Sequence, residues 1–174
     1  VAITASTGIA ATHMNGITIH SWSGMGIKDK MTDLDILKLY RKPVIKKRFN
    51  KTKVLIIDEI SMLHAHQLDN VDRICRMLKS EPFMPFGGLQ VVLCGDFFQL
   101  PPVTKKMEKV RLAYSSEAWE KMKIKVCYLE EVKRQQKEGN VDPARAQTLQ
   151  YCIDKAKGHI SDAIRQAYSV VVTA

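Results

Sequence analysis

Several features that define whole classes of protein are missing from this sequence. Its four cysteines form no CxxC pair and follow no secretory signal, which argues against a disulfide framework or a zinc module. Its apolar runs are short and interrupted by charges, so no membrane-spanning segment is expected. Reduced thiols in an intracellular protein are therefore predicted.

The cysteines and histidines have simple structural explanations. Cys94 and Cys127 lie inside apolar, strand-like runs and are expected to be buried as small hydrophobic residues. His64 and His66 have no cysteine at ligand spacing, so we expect surface histidines rather than a metal pair.

Acidic residues are absent from segment 41–53, which holds seven lysines and arginines. The chain of 174 residues, 45% hydrophobic and 26% charged, fits one globular domain. Its net charge of +9 favours a polyanionic partner, and nucleic acid is the commonest one. A solvated helix face or a nuclear-import patch explains the basic segment equally well.

Apolar runs predict buried strands at 1–5, 54–57, 91–94, 127–129 and 169–173, with an extended segment at 17–22. Helical spacing predicts helices at 9–13, around 34–40, over 68–78 and twice between 141 and 168. Strands that alternate with helices imply right-handed crossovers and a three-layer α/β fold with a parallel sheet. In such sheets, ligands bind beyond the carboxyl ends of the strands.

Two strands of this kind end in acids. Asp58 and Glu59 follow the run at 54–57: the first is placed to hold Mg²⁺ and the second to orient and deprotonate a water molecule. Taken alone, this pattern is weak, and a simple strand-to-helix cap explains it as well.

A second loop strengthens the prediction. Gln99 lies three residues beyond Asp96, on a loop stiffened by two prolines, where an amide can hydrogen-bond a terminal phosphate. Loss of that phosphate would break the bond, which is how hydrolysis can become movement. The alternative is a plain loop with Phe97 and Phe98 in the core.

These segments resemble successive motifs of the Pif-one helicases, superfamily-one DNA helicases of the RecD-like branch that move 5'-to-3' on single-stranded DNA. The matching segments, in family order, are TASTGIAA (4–11), TIHSWSG (18–24), IDEISM (57–62), GDFFQLPPV (95–103), YSSEAW (114–119) and LEEVKRQ (129–135). The resemblance covers most of the chain and implies the RecA-like fold of P-loop NTPases, with ATP and Mg²⁺ as cofactors.

The resemblance also implies individual roles. Asp58 is expected to bind Mg²⁺, Glu59 to activate water, Gln99 to contact the terminal phosphate, and Arg134 to bind nucleotide and neutralise transition-state charge. The loops that correspond to strand-gripping loops of the family hold Thr7, Gly8, His20 and Ser21. Either His20 or Trp22 can stack on a base, although Trp22 fits the core equally well.

The phosphate-binding loop of such motors ends in Gly-Lys-Ser or Gly-Lys-Thr, yet none of the nine glycines precedes a lysine. We therefore expect an incomplete first motor domain at 1–168, which lacks that strand, loop and helix, and the opening strand of a second domain at 169–174. Such a piece is expected to hydrolyse ATP poorly. The expected parent is a monomeric, ATP-dependent helicase acting on single strands and duplex junctions in repair, recombination or telomere maintenance, located in the nucleus or mitochondrion if eukaryotic.

Two other readings stay open: a catalytically dead, single-strand DNA-binding remnant of such a gene, and an unrelated nucleotide-dependent switch.

Overall fold

The computed structural model describes residues 1–104, 109–129 and 169–173. Its strands are β1 (Ala2–Ala5), β2 (Ile17–Thr18), β3 (Val54–Asp58), β4 (Gln90–Gly95), β5 (Lys125–Leu129) and β6 (Ser169–Thr173). They form one sheet in the order β2-β1-β3-β4-β6-β5, and every neighbouring pair is parallel. The predicted parallel α/β architecture is therefore observed.

Helices cover both faces of this sheet. Within the described ranges they are α1 (Gly8–His13), α2 (Ile19–Ser23), α3 (Asp33–Tyr40), α4 (Pro43–Lys51), α5 (Ala65–Lys79) and α6 (Glu117–Lys121). Helices α2 to α6 share the main core with Ala2, Leu55 and Leu93. Helix α1 packs on Ile3 and Ala5 in a separate cluster. Because successive strand side chains point to opposite faces, α1 lies on the other side of the sheet.

Strand β3 is the centre of the described sheet, and all five of its residues are buried. Its first four residues are apolar and are buried on both faces of the sheet, as expected for a parallel strand covered on two sides. Asp58 is therefore the first side chain of β3 that carries charge, and it lies where the strand ends.

The extended segment predicted at 17–22 is wrong beyond Thr18. Strand β2 ends there, and α2 begins at Ile19. The Thr18 hydroxyl accepts a hydrogen bond from the Ser21 amide at 3.2 Å, which caps the helix. Ile19 and Trp22, one turn apart, are both buried in the main core.

Helices α3 and α4 begin in different ways. Thr32 and Asp35 form a capping box at α3, with acids in its first turn. Helix α4 has Lys42 at its N-cap, no side-chain cap bond and no acid in its first turn. Helix α3 ends at Tyr40, and Pro43 occupies the first position of α4, where its missing N–H costs little.

The structure corrects two predictions of burial, one for a cysteine and one for a histidine. Cys94 is buried as expected, but Cys127 is exposed because β5 lies at the edge of the sheet. His64 is not a surface residue: it is 6% exposed, and its Nε2 lies 3.2 Å from the Val103 carbonyl oxygen. The described residues contain no group of three or more potential metal ligands.

Strand β6 lies between β4 and β5 in the same sheet. The two helices predicted between 141 and 168, and the predicted domain boundary at 168, lie outside the described residues. Assignment of 169–174 to a second motor domain therefore stays a prediction. Among the helices that the structure describes, none has the length and apolar character needed to cross a bilayer.

Candidate nucleotide and DNA site

The ends of β3 and β4 bring two carboxylates to one rim of the sheet. Ile57 pairs with Leu93, so continuing the register places Asp58 level with Cys94, two residues before Asp96. Standard strand spacing and rise then put the two aspartate Cα atoms about 8 Å apart. Each aspartate is only 7% exposed. Carboxylate oxygens at such a rim are ligands that Mg²⁺ prefers, so the donor chemistry fits the ion that the sequence implies.

Gly95 lets the two strand ends approach each other closely. A Cβ atom at this position would lie 3.0 Å from the backbone nitrogen of Ile60 and 3.4 Å from that of Ser61. A side chain at position 95 would therefore push against the backbone that directly follows Glu59. Glycine at this position therefore allows the close contact between the two motifs without a shift of either strand end.

Glu59 adopts a strained backbone conformation, with φ 54° and ψ 44°. This left-handed region is uncommon for residues other than glycine, and such residues cluster at functional sites. The Met62 amide donates to the Glu59 carbonyl oxygen at 3.0 Å, which helps to hold the turn. The structure thus maintains an unfavourable backbone at the residue predicted to activate water.

Asp96 orients Gln99. One Asp96 carboxylate oxygen accepts the Phe98 amide at 2.9 Å, and the other accepts the Gln99 side-chain nitrogen at 3.0 Å. Gln99 itself is exposed, and its second N–H is available for another acceptor. Asp96 was not among the predicted site residues, although an acid three positions before the glutamine is visible in the sequence.

The two phenylalanines of this loop behave differently. Phe97 is partly buried and packs edge-on against Tyr114 and Trp119, with ring centroids 5.1 and 5.8 Å apart. Phe98 is 95% exposed, so the reading that placed it in the core is wrong. Its backbone amide is held by Asp96, which turns the chain and directs the ring outward.

Ser6 connects the end of β1 to the acidic turn. Its amide donates to the Asp58 carbonyl oxygen at 3.0 Å, and its hydroxyl lies within hydrogen-bond distance of the carbonyl oxygens of Asp58 and Glu59. Thr7 follows directly and caps α1 by accepting the Ala10 amide at 3.2 Å. The predicted strand-gripping residues Thr7 and Gly8 are therefore one and two residues away from Ser6, which bonds to the backbone of Asp58 and Glu59. Ser6 is a further residue that motif reading did not single out.

The second predicted DNA loop lies on α2. Ser21 is exposed and His20 is partly buried, and burial lowers the pKa of His20 against the opposing effect of Asp29. Trp22 is 3% exposed and packs on Phe49 with ring centroids 4.4 Å apart. Of the two residues considered for base stacking, Trp22 therefore belongs to the core.

Arg134 lies outside the described residues, and its predicted role is untested. The site that the structure does describe consists of the acidic turn at the end of β3, the glutamine loop after β4 and the serine-threonine-glycine turn after β1. Three parallel strands thus deliver polar groups to one rim, which is the general place for a ligand in a sheet of this type.

Comparison with solved structures defines the class. The chain is similar to the crystal structure of Pif1 helicase from Candida albicans, with a TM-score of 0.62 and 45% identity over 69% of this chain and 27% of that one. It is also similar to a Pif1 helicase from Bacteroides in complex with ADP-AlF3 and ssDNA, with a TM-score of 0.61 and 36% identity over 69% of this chain and 29% of that one. The fold is that of a RecA-like helicase motor domain.

Sequence comparison gives the family. The PIF1-like helicase family model matches residues 1–163. An ATP-dependent DNA helicase Pif1 of Psychrobacter is 59% identical over 138 residues, covering 78% of this chain and 21% of the relative. The ATP-dependent DNA helicase RRM3 of Saccharomyces cerevisiae is 45% identical over 144 residues, covering 82% of this chain and 20% of the relative. The chain belongs to the PIF1-like helicase family, and it spans about a fifth of the length of these curated relatives.

Proposed function

We propose that this chain supplies the nucleotide-sensing and strand-gripping rim of an ATP-dependent 5'-to-3' DNA helicase, which couples ATP hydrolysis to movement on single-stranded DNA and to duplex unwinding. The observation that supports the proposal is that segments following β1 and β4 both contact the acidic turn, Asp58 and Glu59. Ser6 bonds to it from β1, and Gly95 approaches it from β4. A change at the nucleotide can therefore reach the DNA loop through a few backbone contacts.

At the nucleotide, each residue has a defined task. Asp58 would hold Mg²⁺, which when bound with ATP supplies positive charge against the phosphates. Glu59, whose backbone is strained, would take a proton from water. Gln99, oriented by Asp96, offers its second N–H to a terminal phosphate. Arg134 retains its proposed role in neutralising transition-state charge.

At the DNA, the proposed contacts are Thr7, Gly8, His20 and Ser21. Hydroxyls and backbone amides on the α1 and α2 turns suit phosphates, and neither turn needs to recognise a base. Gly8 and Ser21 are exposed, as such contacts require. The lowered pKa of His20 favours a neutral ring at neutral pH, which suits stacking or hydrogen bonding better than charge attraction.

The remaining parts of the proposal concern the whole protein. They include action at duplex junctions, a monomeric state and a role in DNA repair, recombination or telomere maintenance. Within a eukaryotic cell, we place the parent in the nucleus or the mitochondrion.

A chimera tests the activity. The segment of this chain that aligns with the Psychrobacter relative over 138 residues replaces the matching segment of that relative, and DNA-stimulated ATP hydrolysis and strand unwinding are measured. We expect the chimera to keep DNA-stimulated hydrolysis and unwinding, because this chain carries Asp58, Glu59 and Gln99 at the ends of β3 and β4. A folded chimera that binds single-stranded DNA but hydrolyses no ATP would instead identify a catalytically dead binding remnant.

A substitution at Gly8 tests DNA binding without disturbing the fold. A Cβ at this position meets no atom within 4 Å, so Gly8→Ala is expected to leave stability unchanged or raise it by up to about 1 kcal/mol. The same methyl group would occupy the approach of a phosphate to the turn. We expect single-strand affinity to fall about tenfold, the loss of one charge-assisted hydrogen bond. Unchanged affinity by fluorescence anisotropy would contradict a phosphate contact at this turn.

A further inference from the structure

Five exposed lysines and arginines lie on and beside α4. They are Arg41, Lys42, Lys47, Lys51 and Lys53, and we call them the α4 basic surface. None of them takes part in an ion pair among the described residues. No acid occurs between Asp35 and Asp58, so the helix provides no compensating charge of its own.

The neighbouring helices do not compensate this charge either. Helix α4 packs against α3 and α5. The acids on those helices have other partners: Asp33 pairs with Arg73, Asp35 with Lys28, Asp72 with Arg76, and Asp69 accepts the Ala118 amide. Helix α5 adds another cation, because Lys79 Nζ lies 3.4 Å from the carbonyl oxygens of Phe49 and Thr52.

This arrangement works against the stability of α4. Lys42 stands at the helix N-cap, where positive charge opposes the helix dipole, and no acid or side-chain cap offsets it. Lys47 and Lys51 are one turn apart, and like charges at this spacing repel. Helix α3, with its capping box and two acids in the first turn, shows the favourable arrangement in the same chain. A bound polyanion would remove the repulsion that α4 retains.

Helix α4 is also attached to the candidate DNA loop. The Arg48 guanidinium donates to the carbonyl oxygens of Ser21 and Trp22 at 3.0 and 2.6 Å. The buried contact of Phe49 with Trp22 holds the same two helices together. Helix α4 therefore contacts the candidate DNA loop, and a strand that contacts Ser21 lies beside the helix that carries the α4 basic surface.

We propose that the α4 basic surface binds the phosphate backbone of single-stranded DNA that leaves the His20–Ser21 turn, extending the grip of this domain beyond the loops on α1 and α2. The inference rests on the proposed function of that turn. The contact is electrostatic and independent of base sequence, because lysine ammonium groups read phosphate charge.

The test uses the 174-residue chain and labelled oligothymidine strands, with affinity measured by fluorescence anisotropy over a series of salt concentrations. The variant carries Lys42→Gln, Lys47→Gln and Lys51→Gln. A matched control carries Lys121→Gln, Lys123→Gln and Lys125→Gln, three lysines that are also exposed. Both variants lower the net charge from +9 to +6, that is, 9 minus 3. Any difference between them therefore reports position rather than total charge.

Each phosphate contact to a single strand contributes about 0.7 to the slope of log affinity against log salt. We expect the α4 variant to lower that slope by about 2 and to weaken binding roughly 10- to 100-fold at 0.1 M salt, whereas the control stays within about twofold of the unmodified chain. The loss should be larger on a strand of about 16 nucleotides than on one of about 4, because the short strand covers the α2 turn alone. Thermal unfolding of the α4 variant should begin no lower than that of the unmodified chain.

An α4 variant that binds like the control would overturn the inference. If His20→Ala weakens binding in the same experiment, the proposed DNA turn survives and only its extension onto α4 fails. Absence of single-strand binding by the unmodified chain would contradict both. An equal loss in the two triple variants would mean that total charge, not this surface, attracts DNA.

Discussion

The ends of β3 and β4 have the same local sequence pattern but use their acids differently. Both strands are buried and apolar, and each leads into an aspartate at the same rim. After β4, the Asp96 carboxylate is engaged within its own loop, where it holds Phe98 and Gln99. After β3, Ser6 bonds to the backbone carbonyl oxygen of Asp58, not to its carboxylate. Asp96 therefore positions a loop, whereas Asp58 is the residue for which we propose a role in Mg²⁺ binding.

This difference shows that an acid at the end of a strand does not by itself define a ligand. The deciding feature is what surrounds the carboxylate: two nearby N–H donors engage both oxygens of Asp96. Substitutions at the two strand ends should therefore change different properties of the protein. Those at β3 should affect hydrolysis, and those at β4 should affect the loop and its stability.

The largest expected effect is that of Glu59→Gln in the chimera with the Psychrobacter relative. Loss of a general base costs about 10²- to 10⁴-fold in rate, so DNA-stimulated ATP hydrolysis should fall by that factor. Single-strand affinity should remain within about twofold, because Glu59 faces the nucleotide in this account. Hydrolysis within a few-fold of the chimera would remove Glu59 from its assigned role.

Gly95→Ala tests the contact between the two strand ends. The added methyl group would lie 3.0 Å from the Ile60 backbone nitrogen and side chain, so one strand end must shift. We expect a loss of about 1 to 3 kcal/mol in the free energy of unfolding, typical of overpacking in a close contact. Denaturant titration measures it, and Gly8→Ala, where the added methyl group meets no atom within 4 Å, is the control for a methyl group without steric contact. Equal losses at the two positions would show that steric contact at the rim is unimportant.

Asp96→Ala tests the positioning role. The substitution leaves the partly buried Phe98 amide and the Gln99 side chain without their acceptor, which should lower the free energy of unfolding by about 1 to 2 kcal/mol. In the chimera, Gln99→Ala and the double variant should then show almost the same hydrolysis rate as Asp96→Ala. Independent, multiplying losses would mean that Asp96 acts on the nucleotide directly.

The smallest expected change in stability is an increase. Glu59→Gly relieves a left-handed residue, and we expect the free energy of unfolding to rise by about 0.5 to 1 kcal/mol while hydrolysis is lost. Glu59→Gln keeps the side-chain shape, so the difference in the free energy of unfolding between the two variants reports the cost of the left-handed backbone. A loss of stability in Glu59→Gly would indicate that the Glu59 side chain supports the fold.

The sequence was sufficient to predict the sheet, because an apolar run such as that of β3 can only be buried on both faces. It also placed Asp58 at a strand end and Glu59 and Gln99 beyond strand ends, since strand boundaries follow from that burial. It failed for α2, where one turn capped by Thr18 is too short to show helical spacing. The Ser6 bonds and the Gly95 contact join residues roughly 35 to 52 positions apart, and no local pattern reports such contacts.

A paramagnetic ion would report most directly whether the acidic turn and the glutamine loop share one rim. Mn²⁺ added in place of Mg²⁺ to the isotope-labelled chain should selectively broaden the NMR signals of the Gly95 backbone amide and the Gln99 side-chain amide. That broadening should disappear in Asp58→Asn and persist in the Lys121→Gln, Lys123→Gln, Lys125→Gln control. Broadening that is absent at Gln99, or that survives in Asp58→Asn, would contradict a common site at the ends of β3 and β4.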